Sequence, residues 1–162
     1  MKDMTPSDVP SGGTTVHHKY FDGTERTLVY SNVETPFPEG NLIVSRTDIK
    51  GIIVGCNKAF CDMAGFTKEQ LIGQPHCILR HPDMPAAAFK DLWNTVSQGK
   101  HWHGYVKNLR SNGGYYWVYA TVIPNVRNGK VVGYSSIRRK PSRAKIQEHS
   151  ETYKKLKEQE SK

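Results

Sequence analysis

The run Arg80-His81-Pro82-Asp83 brings a cation, an imidazole and a carboxylate together around a proline whose backbone is rigid. Such a set can hold a pyrophosphate or a ribose through charge-assisted hydrogen bonds. The sequence has neither the glycine-rich turn of a dinucleotide-binding fold nor a P-loop, so side chains must hold any phosphate. Taken alone, the run fits a surface turn equally well.

A second set of residues is suited to a flat aromatic ligand. On a predicted strand every second residue shares a face, and Trp102, Gly104 and Asn108 would there present an indole, a position without a side chain and an amide. Gly104 would let a ligand approach the backbone. Trp93 on a predicted helix can add a second indole. Both tryptophans could instead simply be part of the hydrophobic core, and the residues by themselves favour this interpretation over a ligand site.

Other reactive residues lack the spacing that metal binding or catalysis needs. His101-x-His103 offers two ligands without a third, and Cys56, Cys61 and Cys77 do not form the paired motifs of zinc or iron–sulfur sites. We expect three free thiols, as in a reducing compartment. No nucleophile elbow and no His-Glu-x-x-His motif occurs, so the sequence predicts that the protein is not an enzyme.

Hydrophobic periodicity and turn residues define the elements that must position these residues. Apolar residues recur at helical spacing between Phe89 and Val96, which predicts a helix over about 85–98. Asn112-Gly113 and Asn128-Gly129 are typical of tight turns between strands. The predicted strands are 42–44, 52–54, 101–110, 114–126 and 130–139, and the predicted short helices are 57–65 and 67–73. This order predicts an α+β fold with a five-stranded antiparallel sheet and its helices on one face.

The 162 residues suffice for one domain with flanking segments. Residues 1–40 are predicted to be a partly flexible leader that can dock locally, residues 41–140 the domain, and residues 141–162 a basic C-terminal helix. On that helix Ile146, Tyr153 and Leu156 form a narrow apolar stripe, which predicts contact with a partner surface.

The charge is concentrated at the C-terminal end. The formal net charge is +8, and residues 138–162, with nine Lys/Arg and four Glu, carry +5 of it. A basic tail can contact phosphates or an anionic membrane surface, but terminal helices often carry solvated Lys and Glu, so we expect no nucleic-acid partner. No apolar run approaches the ~18 residues of a membrane span, and residues 1–10 are too polar for a signal peptide. We expect a soluble, cytoplasmic protein.

Several segments together resemble a PAS sensor domain, in particular the flavin-binding PAS domain of bacterial aerotaxis receptors. The resemblance covers about residues 36–140. It is carried by Gly73-Gln-Pro-His-Cys-Ile-Leu-Arg-His-Pro-Asp-Met-Pro85, Ala88-Phe-Lys-Asp-Leu-Trp93, Gly99-Lys-His-Trp-His-Gly104, Val106-Lys-Asn108, Asn112-Gly-Gly-Tyr-Tyr-Trp-Val118 and Gly133-Tyr-Ser-Ser-Ile-Arg138.

The resemblance implies non-covalent FAD in a cavity between the sheet and the short helices, used as a sensor of oxygen or electron transport. It implies no catalysis. The positions that match the family's cofactor-binding residues are Asn57, His76, Arg80, His81, Asp83, Trp93, Trp102, Asn108 and Tyr116, of which His76 and Tyr116 match less well. Reduction would then alter hydrogen bonds from Asn57, Asn108 or His76 near the ring.

Two alternatives remain at this stage. One is a haem-binding PAS gas sensor, in which His76, His81 or His101 could be the axial ligand. The other is a PAS interaction module without a cofactor. Blue-light PAS domains form a flavin adduct through a cysteine, but His76 stands at that place here, and Cys77 is expected to point elsewhere.

The resemblance also implies that output passes to another protein, such as a chemoreceptor or a kinase module. A receptor of this kind has a transmembrane segment and a long coiled coil, and this sequence contains neither. We therefore expect the signal to pass to the partner through the terminal segments. A homodimer through the leader or the C-terminal helix is compatible with the pattern.

Overall fold

The computed structural model describes all residues from Met1 to Lys162 and contains a hairpin and a five-stranded antiparallel sheet. The strands are β1 (Thr14–Lys19), β2 (Glu25–Tyr30), β3 (Ile43–Asp48), β4 (Ile53–Cys56), β5 (Trp102–Leu109), β6 (Tyr115–Arg127) and β7 (Lys130–Arg139). Strands β1 and β2 form the hairpin, and the sheet has the order β4-β3-β7-β6-β5. The predicted α+β fold class is confirmed.

The chain has four helices, and the three that lie between β4 and β5 pack on one face of the sheet, which we call the inner face. The helices are α1 (Lys58–Ala64), α2 (Lys68–Leu71), α3 (Ala86–Val96) and, after the last strand, α4 (Arg143–Glu160), with single 3-10 turns at Pro6–Asp8 and His76–Leu79. No helix combines the length and the apolar character that crossing a membrane requires.

Capping residues set the ends of the short helices. The Asn57 side chain accepts a hydrogen bond from the Phe60 amide (3.0 Å) and so caps α1. Gly65 ends this helix in the left-handed conformation (φ 78°), where a side chain would be strained. Thr67 and Gln70 form a reciprocal capping box at the start of α2.

The sheet follows from two tight turns and from alternating side chains. Asn128 and Gly129 both have positive φ (51° and 76°), as the turn between β6 and β7 requires. In β6 the even-numbered residues from Tyr116 to Val122 are buried on the inner face. They belong to a core of 18 buried residues that also includes Phe60 and Leu79.

The outer face of the sheet is covered by α4. The Tyr153 hydroxyl donates a hydrogen bond to the Tyr105 carbonyl (2.6 Å), and the His149 ring stacks on Tyr105 at 4.3 Å between centroids. Ile146 is buried, and Trp117 stacks on Tyr153 at 6.2 Å. The apolar stripe therefore packs on the chain's own sheet, which accounts for the partner surface that the sequence analysis predicted.

The N-terminal segment contains an element that the sequence analysis missed. Strands β1 and β2 pair from Thr14–Tyr30 to Lys19–Glu25 around a turn at Asp22-Gly23 (Gly23 φ 84°). A small separate core packs this hairpin against the domain; its buried members are Met4, Val9, Leu28, Val29 and Leu109. Much of the predicted partly flexible leader is thus regular structure, because β2 buries Leu28 and Val29 in this core beside Leu109 of β5.

Candidate functional site

A cavity of about 300 Å³ lies between the inner face of the sheet and α3, at the lower end of the volumes of ligand sites. Helix α3 supplies Phe89, Leu92 and Trp93 to its wall. The sheet supplies apolar side chains at Trp102, Val106, Ala120, Val122 and Tyr134. This arrangement suits a flat apolar group held between two walls.

Arg138 lies at the inner end of this cavity and has no acidic partner. Its side chain is buried, with the residue only 3% exposed, and its Nη2 donates to Ser45 Oγ (3.0 Å) and His76 Nε2 (2.8 Å). Its Nη1 is buried without a hydrogen-bond partner. Burial lowers the pKa of Arg138 to about 10, so the guanidinium stays charged at neutral pH. A buried cation in this state favours an acceptor or an anion beside it.

His76 is held neutral by the same contact. Because a guanidinium can only donate, Nε2 of His76 must accept from Arg138, which leaves the ring proton on Nδ1. Burial, and next the Arg138 charge, lower the pKa of His76 to about 3. His76 therefore orients Arg138 and is not itself a proton donor through Nε2.

Asn108 is the second buried polar group on the cavity wall. It pairs with Tyr116 in the register of β5 and β6, and its backbone bridges Arg80. The Tyr116 hydroxyl lies near the Asn108 side chain, without a hydrogen bond of good geometry, and burial raises the pKa of Tyr116 to about 12. Tyr116 is part of the core beneath Asn108 and does not line the cavity.

Arg80 lies at the mouth of the cavity, between two aromatic rings. Its guanidinium carbon is 4.8 Å from the centre of the Phe89 ring and 5.5 Å from that of Phe21. Nη2 donates to the Met84 carbonyl (3.2 Å), whereas Nε is buried without a partner. Burial lowers the pKa of Arg80. Each end of the cavity thus has a buried arginine, Arg80 at the mouth and Arg138 at the inner end, and neither forms a salt bridge with a carboxylate.

The two predicted tryptophans both line the cavity, although Gly104 acts differently from the prediction. Trp102 Nε1 donates to Asp91 Oδ2 (2.8 Å) and ties β5 to α3, and Trp93 meets Tyr134 edge-on at 5.4 Å. A Cβ at Gly104 would collide with the Trp102 indole itself. The glycine therefore makes room for this ring rather than for a ligand on the backbone.

Besides Tyr116, the structure does not bring three more of the predicted cofactor-binding residues to the cavity, namely Asn57, His81 and Asp83. The Asn57 amide caps α1 and also donates to the Leu42 carbonyl (2.9 Å), so its polar groups are engaged in backbone contacts. The His81 ring packs edge-on against Tyr30 at 5.2 Å, below the N-terminal hairpin. Asp83 pairs with Lys107 (2.8 Å). His81 and Asp83 miss the cavity because the chain turns away from it after Arg80, whereas Asn57 is used as a helix cap.

Several cavity residues were missed by the sequence analysis. Arg138, Ser45, Thr47, Ser136, Tyr134 and Tyr20 all line the cavity. One signal could have found Arg138: Tyr134, Ser136 and Arg138 alternate in β7 on the inner face, where a charged residue is unusual. The contacts with Ser45 and His76 depend on the strand order and carry no local signal.

The cysteines are free, as the sequence predicts. The sulfur atoms of Cys56 and Cys61 are 3.6 Å apart, and burial raises the pKa of Cys56 to about 11. Cys77, expected to point elsewhere, lines the mouth of the cavity, and its thiol contacts the Met1 sulfur at 3.9 Å. Burial raises the pKa of Cys77 as well, so it is a weak nucleophile at neutral pH.

The distribution of buried polar atoms without a partner points to a ligand in this cavity. Seven side chains carry such an atom, and four of them line the cavity, namely Tyr20, Thr47, Arg80 and Arg138. Buried polar groups are normally hydrogen-bonded, so a concentration of unsatisfied groups around one cavity indicates a polar ligand. The donors lie at both ends and the apolar walls between them.

Comparison with known proteins identifies the family. The sequence profile described as PAS fold matches residues 53–138. The aerotaxis receptor of Escherichia coli (strain K12) is 44% identical over 122 residues, which are 75% of this chain and 24% of that receptor. The nitrogen fixation regulatory protein of Klebsiella oxytoca is 28% identical over 65% of this chain and 21% of its own length. This chain thus spans about a quarter or less of these two relatives.

Solved structures agree on the fold. A light-oxygen-voltage domain, solved in a study of a flavin analogue, has a TM-score of 0.58 at 19% identity over 75% of this chain and 89% of that chain. The chain belongs to the PAS fold family, and the resemblance to the PAS domain of aerotaxis receptors is confirmed. It is a PAS sensor domain related to signalling and regulatory proteins.

Proposed function

We propose that this chain binds FAD non-covalently in the cavity and acts as a redox or oxygen sensor of the aerotaxis or energy-taxis type. The observation that carries the proposal is the buried Nη1 of Arg138, a charged donor without a partner at the inner end of an aromatic cavity. An isoalloxazine ring is flat, apolar on its faces and edged by hydrogen-bond acceptors, so it complements both the walls and this donor.

The chain's own residues would hold such a ring in three ways. Arg138 and the Asn108 amide would bond to the ring's edge, because both lie on the inner face and line the cavity. Trp102 and Leu92 would cover its faces and exclude water. Arg80 would hold the phosphates at the mouth. Bound flavin would supply reversible electron transfer; the chemistry is the cofactor's and the positioning is the protein's.

Relay of the redox state would begin at Arg138. Its Nη2 bonds to β3 through Ser45 and to the 3-10 turn through His76, so a change of charge beside it alters bonds to two elements. In the sheet Arg138 pairs with Ala120 and Ala120 with Gly104. The next residue, Tyr105, accepts the bond from Tyr153 of α4. A shift across this row would bias the packing of α4 between two arrangements.

The output would pass to another signalling protein, such as a chemoreceptor or a kinase module, in the cytoplasm. The support is the kinship with an aerotaxis receptor and the docking of both terminal segments on the domain. A homodimer through α4 would require this helix to leave the sheet, because its apolar residues are used there. We propose a sensor rather than an enzyme, since the only thiol on the cavity wall has a pKa that burial raises, which makes it a weak nucleophile.

Haem is the weaker candidate on contacts within the chain. His76 Nε2 is taken by Arg138, His81 lies below the hairpin, and His101 is exposed and does not line the cavity. An axial ligand needs a free imidazole nitrogen facing the iron. In a cofactor-free interaction module, only water could pair with the four buried polar groups around the cavity.

The test is a visible spectrum of the protein purified without added cofactor, recorded before and after dithionite, after air and after blue light. We expect structured absorption near ~450 nm that bleaches with dithionite and returns in air, without a stable light-induced adduct. A strong Soret band would establish haem instead. A colourless protein that also fails to bind added FAD would contradict the proposal and leave the interaction module.

A further inference from the structure

The turn of the N-terminal hairpin lies over the mouth of the cavity. Tyr20, Phe21 and Asp22, which follow β1, line it together with Arg80 and Lys50. This hairpin lies outside residues 53–138, which match the PAS fold. The mouth is thus completed by a segment that lies outside the matched residues.

Tyr20 combines burial with an unused hydroxyl. The residue is 5% exposed, and its hydroxyl has no hydrogen-bond partner of good geometry. Burial raises the pKa of Tyr20, although Arg26 and Arg80 both lie near enough to favour the ionised form. Tyr20 therefore keeps its proton at neutral pH and can donate it in a hydrogen bond.

The charges around Tyr20 favour an anion. Arg26 is 5% exposed and donates to the carbonyls of Lys2 (2.5 Å) and Ile78 (3.1 Å), and neither Arg26 nor Arg80 has a carboxylate within salt-bridge distance. The acidic groups of this region are engaged elsewhere. Asp22 accepts hydrogen bonds from the amide (2.9 Å) and the hydroxyl (2.7 Å) of Thr24. Glu160, whose negative charge acts on Arg80, accepts a hydrogen bond from the Ala87 amide (3.0 Å).

We propose that the hairpin tip is part of the ligand site: the Tyr20 hydroxyl and Arg80, in the positive field of Arg26, form a phosphate subsite that binds the diphosphate of a flavin dinucleotide. The inference rests on the proposed function. In this proposal the hairpin makes the site selective for FAD over FMN and riboflavin. All three share the isoalloxazine ring, but only FAD carries a diphosphate. Charge-assisted hydrogen bonds to phosphate are among the stronger polar contacts in proteins.

The hairpin is held firmly enough to serve as a binding wall. The Met4 amide donates to the Thr27 carbonyl (2.9 Å), and the Thr27 amide donates to Asp3 Oδ1 (2.8 Å). Leu28 and Val29 are fully buried in the small N-terminal core. Tyr20 therefore keeps its position before a ligand arrives, which reduces the entropic cost of binding.

The test compares the dissociation constants of FAD, FMN and riboflavin for the cofactor-free full chain, measured by quenching of flavin fluorescence. For the unaltered protein we expect FAD to bind at least about 10-fold more tightly than riboflavin. Tyr20→Phe should weaken FAD about 10-fold and leave riboflavin unchanged, because one hydrogen bond to a charged group is lost. Tyr30→Phe is the matched control, since Tyr30 lies in the same hairpin but does not line the cavity.

The outcomes separate this inference from the proposed function. Equal affinity of the unaltered protein for all three flavins, or equal effects of Tyr20→Phe on FAD and riboflavin, would overturn the phosphate subsite and leave the flavin site standing. Binding of none of the flavins would overturn both. Arg80→Met gives a second readout, with FAD weakened about 30-fold and riboflavin unaffected. A melting curve of each variant shows that it is folded.

Discussion

The two faces of the sheet treat their polar groups differently. On the inner face Arg138 and Thr47 carry buried atoms without a hydrogen-bond partner, next to a cavity. On the outer face the Tyr153 hydroxyl bonds to the Tyr105 carbonyl, and Arg143 at the start of α4 pairs with both oxygens of Glu34 (2.6 and 3.1 Å). One face is covered by an element of the chain itself, and the other borders a cavity at which buried polar atoms have no partner within the chain.

This difference indicates how a small domain can couple a redox change of a bound ligand to the packing of a helix on the other side of the sheet. The inner face places the charged Arg138 beside the cavity in which we propose that a flavin changes its charge. The outer face binds α4 through contacts that include the hydrogen bond from Tyr153 to Tyr105. Strands β5, β6 and β7 have side chains on both faces of the sheet. A displacement of these strands by a ligand on the inner face would therefore also move the residues that contact α4 on the outer face.

Replacing the Arg138 guanidinium, whose Nη1 has no partner, should strongly weaken ligand binding at the inner face. Arg138→Met removes the buried donor, and we expect flavin affinity to fall by about 2–5 kcal/mol, at least 30-fold in Kd, because truncation of a buried charged partner is costly. Fluorescence titration with FAD and with riboflavin measures the loss, which should be the same for both flavins.

The adjacent Arg139 offers a matched control, because it is exposed and does not line the cavity. Arg139→Met should leave the affinity unchanged. Flavin binding by Arg138→Met at the affinity of the unaltered protein would show that the unpaired donor is not the recognition element. The melting temperature of Arg138→Met should not fall much, since removal of an unpaired buried charge relieves a desolvation penalty.

The inner face should also make the protein sensitive to acid. His76 is neutral in the folded state, with a pKa of about 3, whereas an unfolded histidine takes up its proton near its ordinary pKa. The unfolded chain therefore binds more protons between these values, so the free energy of unfolding falls as the pH is lowered below about 6.5 and is constant above it. We expect a loss of about 1 kcal/mol per pH unit from this residue.

Denaturant unfolding of the His76→Gln variant between pH 7 and pH 5 tests this effect. The slope should become shallower, and the remaining slope should come from His81 and His18, whose pKa values burial lowers to about 3 and about 4. An unchanged slope would show that His76 is not buried as a neutral ring in solution.

On the outer face, Tyr153→Phe should loosen α4 without affecting the ligand. It removes one hydrogen bond of 2.6 Å, worth about 1 kcal/mol. Amide hydrogen exchange in residues 146–158 should then become about 5-fold faster, while flavin affinity is retained. Tyr119→Phe is the control, since the Tyr119 ring lies on the same face and packs against Tyr105 and His103. Slower or equal exchange in Tyr153→Phe would contradict the assigned role of this bond.

The smallest effect is expected at the start of α4. Arg143→Gln breaks the bidentate pair with Glu34, but the Arg143 side chain is largely exposed, so we expect a loss of only about 0.5 kcal/mol that disappears at high salt. Lys145→Gln provides the comparison, because Lys145 pairs with Glu148 inside the same helix and does not hold it to the domain. Equal effects of the two variants on exchange in α4 would show that the Glu34 pair does not anchor the helix.

The sequence predicted the sheet well because its signals are local. Asn128-Gly129 adopts the positive φ values of a tight turn, and the alternation in β6 is long enough to distinguish its two faces. The hairpin of β1 and β2 was missed although Asp22-Gly23 is also a turn signal. Its flanking strands carry His, Lys, Glu and Arg, so their alternation is weak.

The candidate site was predicted only in part because its inner end is assembled from distant residues. Ser45, His76 and Arg138 lie on separate elements that meet only through the order β4-β3-β7-β6-β5. His76 was found through the family resemblance, whereas Arg138 was not predicted as a cofactor-binding residue. Asn57 was predicted to bind the cofactor through the family resemblance, and the structure shows it as the cap of α1.

The central claim is that the redox state at the inner face is transmitted to the helix on the outer face. Amide hydrogen exchange of the flavin-loaded protein, oxidised and after anaerobic reduction with dithionite, tests it directly. The account predicts that reduction changes exchange rates by at least about 3-fold in residues 143–160 and in the leader. Unchanged exchange in both segments, with the flavin fully reduced, would contradict it.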